Sequence, residues 1–172
     1  MWIKLLGCLL VVFAASALGF SKAAEFSARL NCLMDVQSAL RRFEGEIAFT
    51  KTPILEVFTK LAKDSGGWVS KVFSDVVEQL KQCDGIPASE AWRTAVFRSK
   101  ESMLKNEDIE IILDFGKCLG STDVDGQLLN LSAVIAQLDR QMENARETRD
   151  KNQKLYRSLG VYAGILIAVL LL

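Results

Sequence analysis

No histidine occurs anywhere in the 172 residues. A Ser-His-Asp triad, a Cys-His pair and the common imidazole metal sites are thereby excluded, because each depends on a ring that titrates near neutrality. Cysteine is scarce: Cys8, Cys32, Cys83 and Cys118 stand far apart with no paired spacing, a poor disulfide framework and a poor metal site. Buried thiols in a reducing compartment are the expectation. Net charge is missing too, with 21 Lys and Arg against 21 Asp and Glu. With no dense basic block, nothing favours nucleic acid as a partner. Proline appears only as Pro53 and Pro87, so helices can run long between them.

Two charge-free apolar stretches close the chain at either end. Ser158 to Leu172 reads SLGVYAGILIAVLLL, with eight Leu, Ile and Val residues from Val161 onward. Counted from Leu155, such a helix extends about 27 Å at about 1.5 Å per residue, close to the roughly 30 Å of a bilayer's hydrocarbon core. Lys151, Lys154, Tyr156 and Arg157 mark its wet end. At the other end Leu5 to Phe20 is charge-free between Lys4 and Lys22. Two readings compete there. Ala15-Ser16-Ala17 offers a signal-peptidase site, whereas continuation of the apolar run to Phe20 favours a retained spanning helix.

If both ends span, everything between them lies on one side. Of the Lys and Arg residues only Lys4 falls outside Lys22–Arg157, which places the middle in the cytoplasm. The expected architecture is therefore all-α: a transmembrane helix at 3–21, a helical cytoplasmic domain of about six helices at 22–157, and a second transmembrane helix at 155–172. Small residues at Ala15 and Gly19 and at Gly160 and Gly164 suit close helix packing within the membrane.

The middle reads as helix throughout. Leu30, Leu33, Val36, Leu40, Phe43 and Ile47 recur at three or four residues and stop before Thr52-Pro53, which is expected to cap and start a second helix facing inward with Ile54, Phe58 and Leu61. Gly66-Gly67 ends that helix, and Val69, Val72, Phe73, Val76, Val77 and Leu80 form the stripe of a third. A fourth starts at Pro87 with Ser89 as the expected N-cap and Trp92, Ala95 and Val96 facing in. Asn106 is the expected cap of a fifth, bearing Ile109, Ile112, Leu113 and Phe115, with Glu107, Asp108 and Glu110 solvated at its N-terminus.

Gly116-Lys117-Cys118-Leu119-Gly120-Ser121-Thr122 holds glycines near a lysine but not in the order of a phosphate-binding loop, and no strand precedes it. Gly120 as a C-cap, with Asp123 or Asp125 as the next N-cap, explains it structurally. Beyond, Leu128, Leu131, Ile135, Leu138, Met142 and Ala145 keep helical spacing, and no glycine or proline interrupts from Gln127 to Leu159. This helix is expected to run unbroken to the C-terminus and to pair antiparallel with the first.

A set of motifs spread over essentially the whole chain resembles the stage III sporulation protein AB family. They are Lys4-Leu5-Leu6-Gly7 with Gly19-Phe20, Leu40 with Glu44, Glu46 and Ile47, and Thr52-Pro53-Ile54-Leu55-Glu56. Glu90-Ala91-Trp92, Phe115-Gly116 with Leu119-Gly120 and Asp123, and Tyr156-Arg157-Ser158-Leu159-Gly160-Val161 continue the series. The basic cluster such proteins tend to carry after the first helix is thin, with Lys22 and Arg29 alone.

The resemblance implies a mother-cell membrane protein of a sporulating bacterium, part of the channel or secretion-like complex linking mother cell and forespore. It also implies similarity to the inner-membrane platform proteins of type II secretion and type IV pilus systems, whose cytoplasmic domains meet an assembly ATPase. Other membrane subunits and a cytoplasmic secretion-type ATPase are then the expected partners, homo-oligomers are compatible with it, and no cofactor, metal or catalysis is expected.

From the residues alone, a membrane-anchored interaction module competes with a membrane enzyme using carboxylates or lysines, for which no spacing locates a pocket. A helical adaptor, secreted or membrane-tethered with a cleaved signal peptide and no secretion role, is the alternative. The candidate docking surface is Arg41, Arg42, Glu44 and Glu46 beside the Thr52-Pro53 turn, where charges of both signs meet a rigid turn.

Overall fold

The computed structural model describes residues 2–50, 52–82, 85–99, 103–119 and 124–171, and these contain helices and turns but no strand. Six α-helices follow in order: α1 (Trp2–Gly45), α2 (Ile54–Asp64), α3 (Gly67–Gln82), α4 (Ala88–Arg98), α5 (Asn106–Cys118) and α6 (Val124–Leu171). A π-helical turn, Glu46–Thr50, extends α1. The all-helical class and the count of six match the sequence reading. By their contacts the residues form two compact units, one of Asn31–Met142 and the other of Met1–Leu30 with Glu143–Leu172.

The Asn31–Met142 unit is built around aromatic rings contributed one each by five helices. Phe43 of α1 stacks on Phe58 of α2 at 5.6 Å, Phe58 meets Phe73 of α3 at 5.5 Å, and Phe73 meets Trp92 of α4 at 5.3 Å. Trp92 then stands edge-on to Phe115 of α5 at 4.8 Å, and Phe115 stands edge-on to Phe43 at 5.1 Å. The circuit closes on itself. All five side chains are buried, and tilted or edge-to-face pairs at these separations add to the energy of burial alone. Buried in the same unit are Leu33, Val36 and Leu40 from α1, Val57 and Leu61 from α2, Val72 and Val76 from α3, and Leu131, Val134 and Leu138 from α6.

Most of the expected inner faces are the observed ones, with small rotations. In α2 the buried positions are Val57, Phe58 and Leu61, while Ile54 is only half-buried. In α3 the buried face begins one residue earlier, at Trp68, whose indole N–H donates to the Ser99 carbonyl. Gly67, the first residue of α3, has φ +54° with open space around it. A residue without Cβ takes that left-handed conformation at no steric cost, which lets α3 begin three residues after α2 ends.

The caps differ from expectation. Pro87, not Ser89, holds the N-cap position of α4, and its carbonyl accepts from the N–H groups of Glu90 and Ala91. A proline there presents the extended backbone the first turn needs, so Ser89 is drawn inside the helix. Lys105, not Asn106, precedes α5, and Asp108 reaches back from its third position to accept the Lys105 N–H at 2.9 Å. That bond, half of a capping box, is why Asp108 is buried rather than solvated. Asp125 lies within the first turn of α6 rather than capping it, and Gly120 and Asp123 fall outside the described residues.

Gly116 of α5 lies hard against the Trp92 ring. A Cβ placed on it would stand 2.8 Å from the Trp92 ring. Trp92 also donates its indole N–H to the Ile112 carbonyl at 2.8 Å, which fixes its ring against α5. Gly116→Ala should therefore destabilise the protein by about 1–3 kcal/mol, the usual cost of overpacking. Chemical denaturation checks this, since a helical glycine in open space would instead gain stability on substitution by alanine.

In the other unit, the start of α1 and the end of α6 run antiparallel. Phe26 meets Tyr156 with ring centroids 5.7 Å apart, and Gln153 Nε2 donates to Ser27 Oγ at 3.4 Å. Ala23, Leu30 and Ala145 are buried, and so is Arg29, one of the two cations that follow the first apolar run. Gly19 is buried and Ala15 half-buried, whereas the surroundings of Gly160 and Gly164 lie outside the described residues.

Among the described residues no helix is long and apolar enough to cross a membrane. The flanking transmembrane helices expected at 3–21 and 155–172 are thus not supported. Each apolar run is the end of a longer helix that turns charged at Lys22 and Glu25 or at Lys151 and Lys154, and several of its side chains are not among those described.

Candidate functional site

The six residues that the sequence places around the first turn are divided by the structure. Arg41 points to α6, where its guanidinium lies 3.6 Å from Asp139, a carboxylate that also accepts from Gln37. Arg42 points the other way and donates to the backbone carbonyl of Asp64 at 3.5 Å, tying the end of α1 to the end of α2. Glu44 is half-buried. Glu46, the first residue of the π-helical turn, is the hub. Its carboxylate takes Lys60 Nζ at 3.3 Å and the Thr52 hydroxyl at 3.3 Å.

Thr52 and Pro53 serve different purposes from the capping role expected of them together. Pro53 alone starts α2, its carbonyl accepting from the N–H groups of Glu56 and Val57, with no side-chain cap. Thr52 turns back to Glu46 instead, which braces the turn against the end of α1. The stretch between the two helices is thereby held by side chains at both ends.

These contacts frame an open groove of about 410 Å³ between the end of α1 and α2. Arg42, Glu46, Lys60 and Asp64 stand around it, Val57 and Leu61 floor it, and Gly45 and Phe49 complete its lining. Phe49 is 88% exposed. Burying a phenylalanine side chain is worth about 1.5–3 kcal/mol relative to leaving it in water, so an aromatic held outward in a braced turn is a surface with free energy still to gain.

Sequence reasoning missed Phe49, yet a signal was present. Phe43 and Ile47 carry the buried stripe and Phe49 falls two residues past it, off the face.

Elsewhere the chemistry is spent on structure. Gly116 and Lys117 lie in α5, with Gly116 against Trp92 and Lys117 paired to Asp114 at 2.6 Å, so their amides belong to a helix and not to a loop that could cradle a phosphate. Cys32 and Cys118 are buried thiols, neither of them in a disulfide. Burial, helped by the nearby Asp114 charge, pushes the Cys118 thiol up, away from the reactive thiolate. Among the described residues no three His, Cys, Asp or Glu side chains gather as a metal could require. Cys83 lies outside the described residues, as does the side chain of Cys8.

Fold and groove together define an all-helical protein with a braced, charged turn that carries an outward aromatic. The family model for stage III sporulation protein AB matches residues 4–172. A protein of Bacillus subtilis strain 168 described as stage III sporulation protein AB is 30% identical over 172 residues, covering 99% of each chain. A solved structure titled stage III sporulation protein AB superposes with a TM-score of 0.67 at 23% identity, covering 72% of this chain and 98% of its own. The chain belongs to the stage III sporulation protein AB family, and its role lies in sporulation.

Proposed function

We propose that this protein is a non-catalytic, membrane-anchored component of the sporulation channel or secretion-like complex between mother cell and forespore. It acts as an assembly platform, docking other membrane subunits and, at the α1–α2 groove, a cytoplasmic secretion-type ATPase. The observation that carries this reading is Phe49, exposed at 88% in a turn braced by Glu46, Lys60 and Thr52. Binding surfaces concentrate their energy in a few anchors that bury on contact, ringed by polar groups that exclude water. Charges of both signs around the anchor then govern register and association rate.

Attachment to the mother-cell membrane, with 22–157 on the cytoplasmic side, is part of the same proposal. It is supported by the apolar side chains exposed in the Met1–Leu30 and Glu143–Leu172 unit: Leu10, Phe13, Leu18 and Phe20 on α1, and Leu159, Tyr162, Leu166 and Ile167 on α6. In water such a concentration is costly, and in hydrocarbon it is favourable.

Phe49→Ser tests the docking surface. The groove-side anchor of a partner is expected to contribute about 2 kcal/mol, so affinity for the ATPase, measured with detergent-solubilised protein, should fall about 30-fold with the unfolding midpoint unchanged. Unaltered affinity would move the docking surface elsewhere.

A further inference from the structure

Where α1 and α6 pair in the Met1–Leu30 and Glu143–Leu172 unit, the cations are not all neutralised alike. Lys22 lies 3.0 Å from Glu25, Arg146 3.7 Å from Glu143, and Arg149 2.7 Å from Asp150. Those three pairs use three of the four carboxylates that the unit carries, leaving Glu147 one turn behind Lys151. Lys151 and Lys154 are exposed, and no ion pair among the described residues engages either. Arg29, which the sequence would add to them, is buried and so presents no charge to the surface.

The free lysines lie at one level along α6. Immediately beyond come Leu155 and Tyr156, then Leu159 and Tyr162, all exposed. The Phe26–Tyr156 contact and the Gln153–Ser27 hydrogen bond hold α1 alongside at that level. Past Arg157 the chain thus changes from a segment rich in cations to leucine and tyrosine with no further charged residue. A bilayer surface has the complementary order, phosphate first and hydrocarbon behind it, with tyrosine suited to the boundary.

We propose that Lys151 and Lys154 form a headgroup site for anionic lipid, seated where α6 enters the interface. The proposal rests on the membrane attachment put forward above and adds lipid charge to it. Each lysine near an anionic leaflet contributes by attraction to its surface potential, and the two together favour anionic over neutral bilayers by about 25-fold.

The full chain, supplied from detergent to mixed vesicle populations, tests this by competition between phosphatidylcholine vesicles and vesicles that also contain phosphatidylserine. The parent should partition to the anionic population, and raised salt should weaken that preference because these lysines are solvent-exposed. Lys151→Gln with Lys154→Gln should lose about 25-fold of the preference while association with phosphatidylcholine alone is retained. A parent that distributes evenly, or a double variant that keeps its preference, overturns the headgroup site and leaves membrane attachment standing. A parent that associates with neither population overturns the attachment itself.

Discussion

Trp92→Ala is expected to lower the unfolding free energy of the protein by about 3–5 kcal/mol, whereas Lys81→Ala should change it by less than about 0.5 kcal/mol. Trp92 touches Phe58, Phe73 and Phe115 and donates to the Ile112 carbonyl. Truncating it removes three aromatic contacts and a buried hydrogen bond, and leaves a cavity bounded on one side by Gly116, which has no side chain to fill it. Leucine-rich cores can relax inward around such a loss. Here the neighbours are rings held by each other around the circuit, so collapse is hindered. Lys81 is exposed near the end of α3 and none of this applies to it. Denaturant titrations of the two variants check the difference, and equal midpoints would mean that the aromatic circuit is not the centre of the core.

Trp92 as an inward residue was legible because Trp92, Ala95 and Val96 share one helical face. That it closes a circuit with four phenylalanines was not, since periodicity reports which face is buried and never what it is buried against. The same limit explains Gly116. In the sequence it reads as part of a glycine-rich stretch, and only α4 lying across α5 gives it the task of admitting a tryptophan ring. Caps were less legible than faces: Ser89 and Asn106 are good capping residues by type, but Pro87 and Asp108 fulfil the local hydrogen bonding and displace them. The unbroken final helix followed directly from the absence of interrupting glycine and proline between Gln127 and Leu159.

The docking candidates were partly legible. Charges of both signs beside Thr52-Pro53 singled out the turn at which a groove lies, but sequence could not separate Arg41, engaged with Asp139, from Arg42, which stands at the groove. Nor could it show that a π-helical turn carries Phe49 outward, because one additional residue in a turn rotates every later side chain without altering composition.

Reversing Arg42 and Glu46 together, as Arg42→Glu with Glu46→Arg, is the second large effect. Glu46 is partly shielded, accepts from Thr52 and pairs with Lys60; Arg42 reaches the backbone at the end of α2. In the folded protein these are solvent-screened contacts, worth about 0.2–1 kcal/mol each, so the double variant should fold. Against a partner that desolvates the groove, reversed charges cost about 2–5 kcal/mol or more, since each then faces a group of its own sign. Affinity should fall by a factor on the order of a thousand, which abolishes recovery in a pull-down.

Co-purification of the full chain from detergent extract with the cytoplasmic ATPase proposed above as its partner, parent beside the Arg42→Glu, Glu46→Arg variant, is therefore the decisive measurement. Docking at the α1–α2 groove predicts capture by the parent and none by a variant that remains cooperatively folded. Undiminished capture by the folded variant would contradict it.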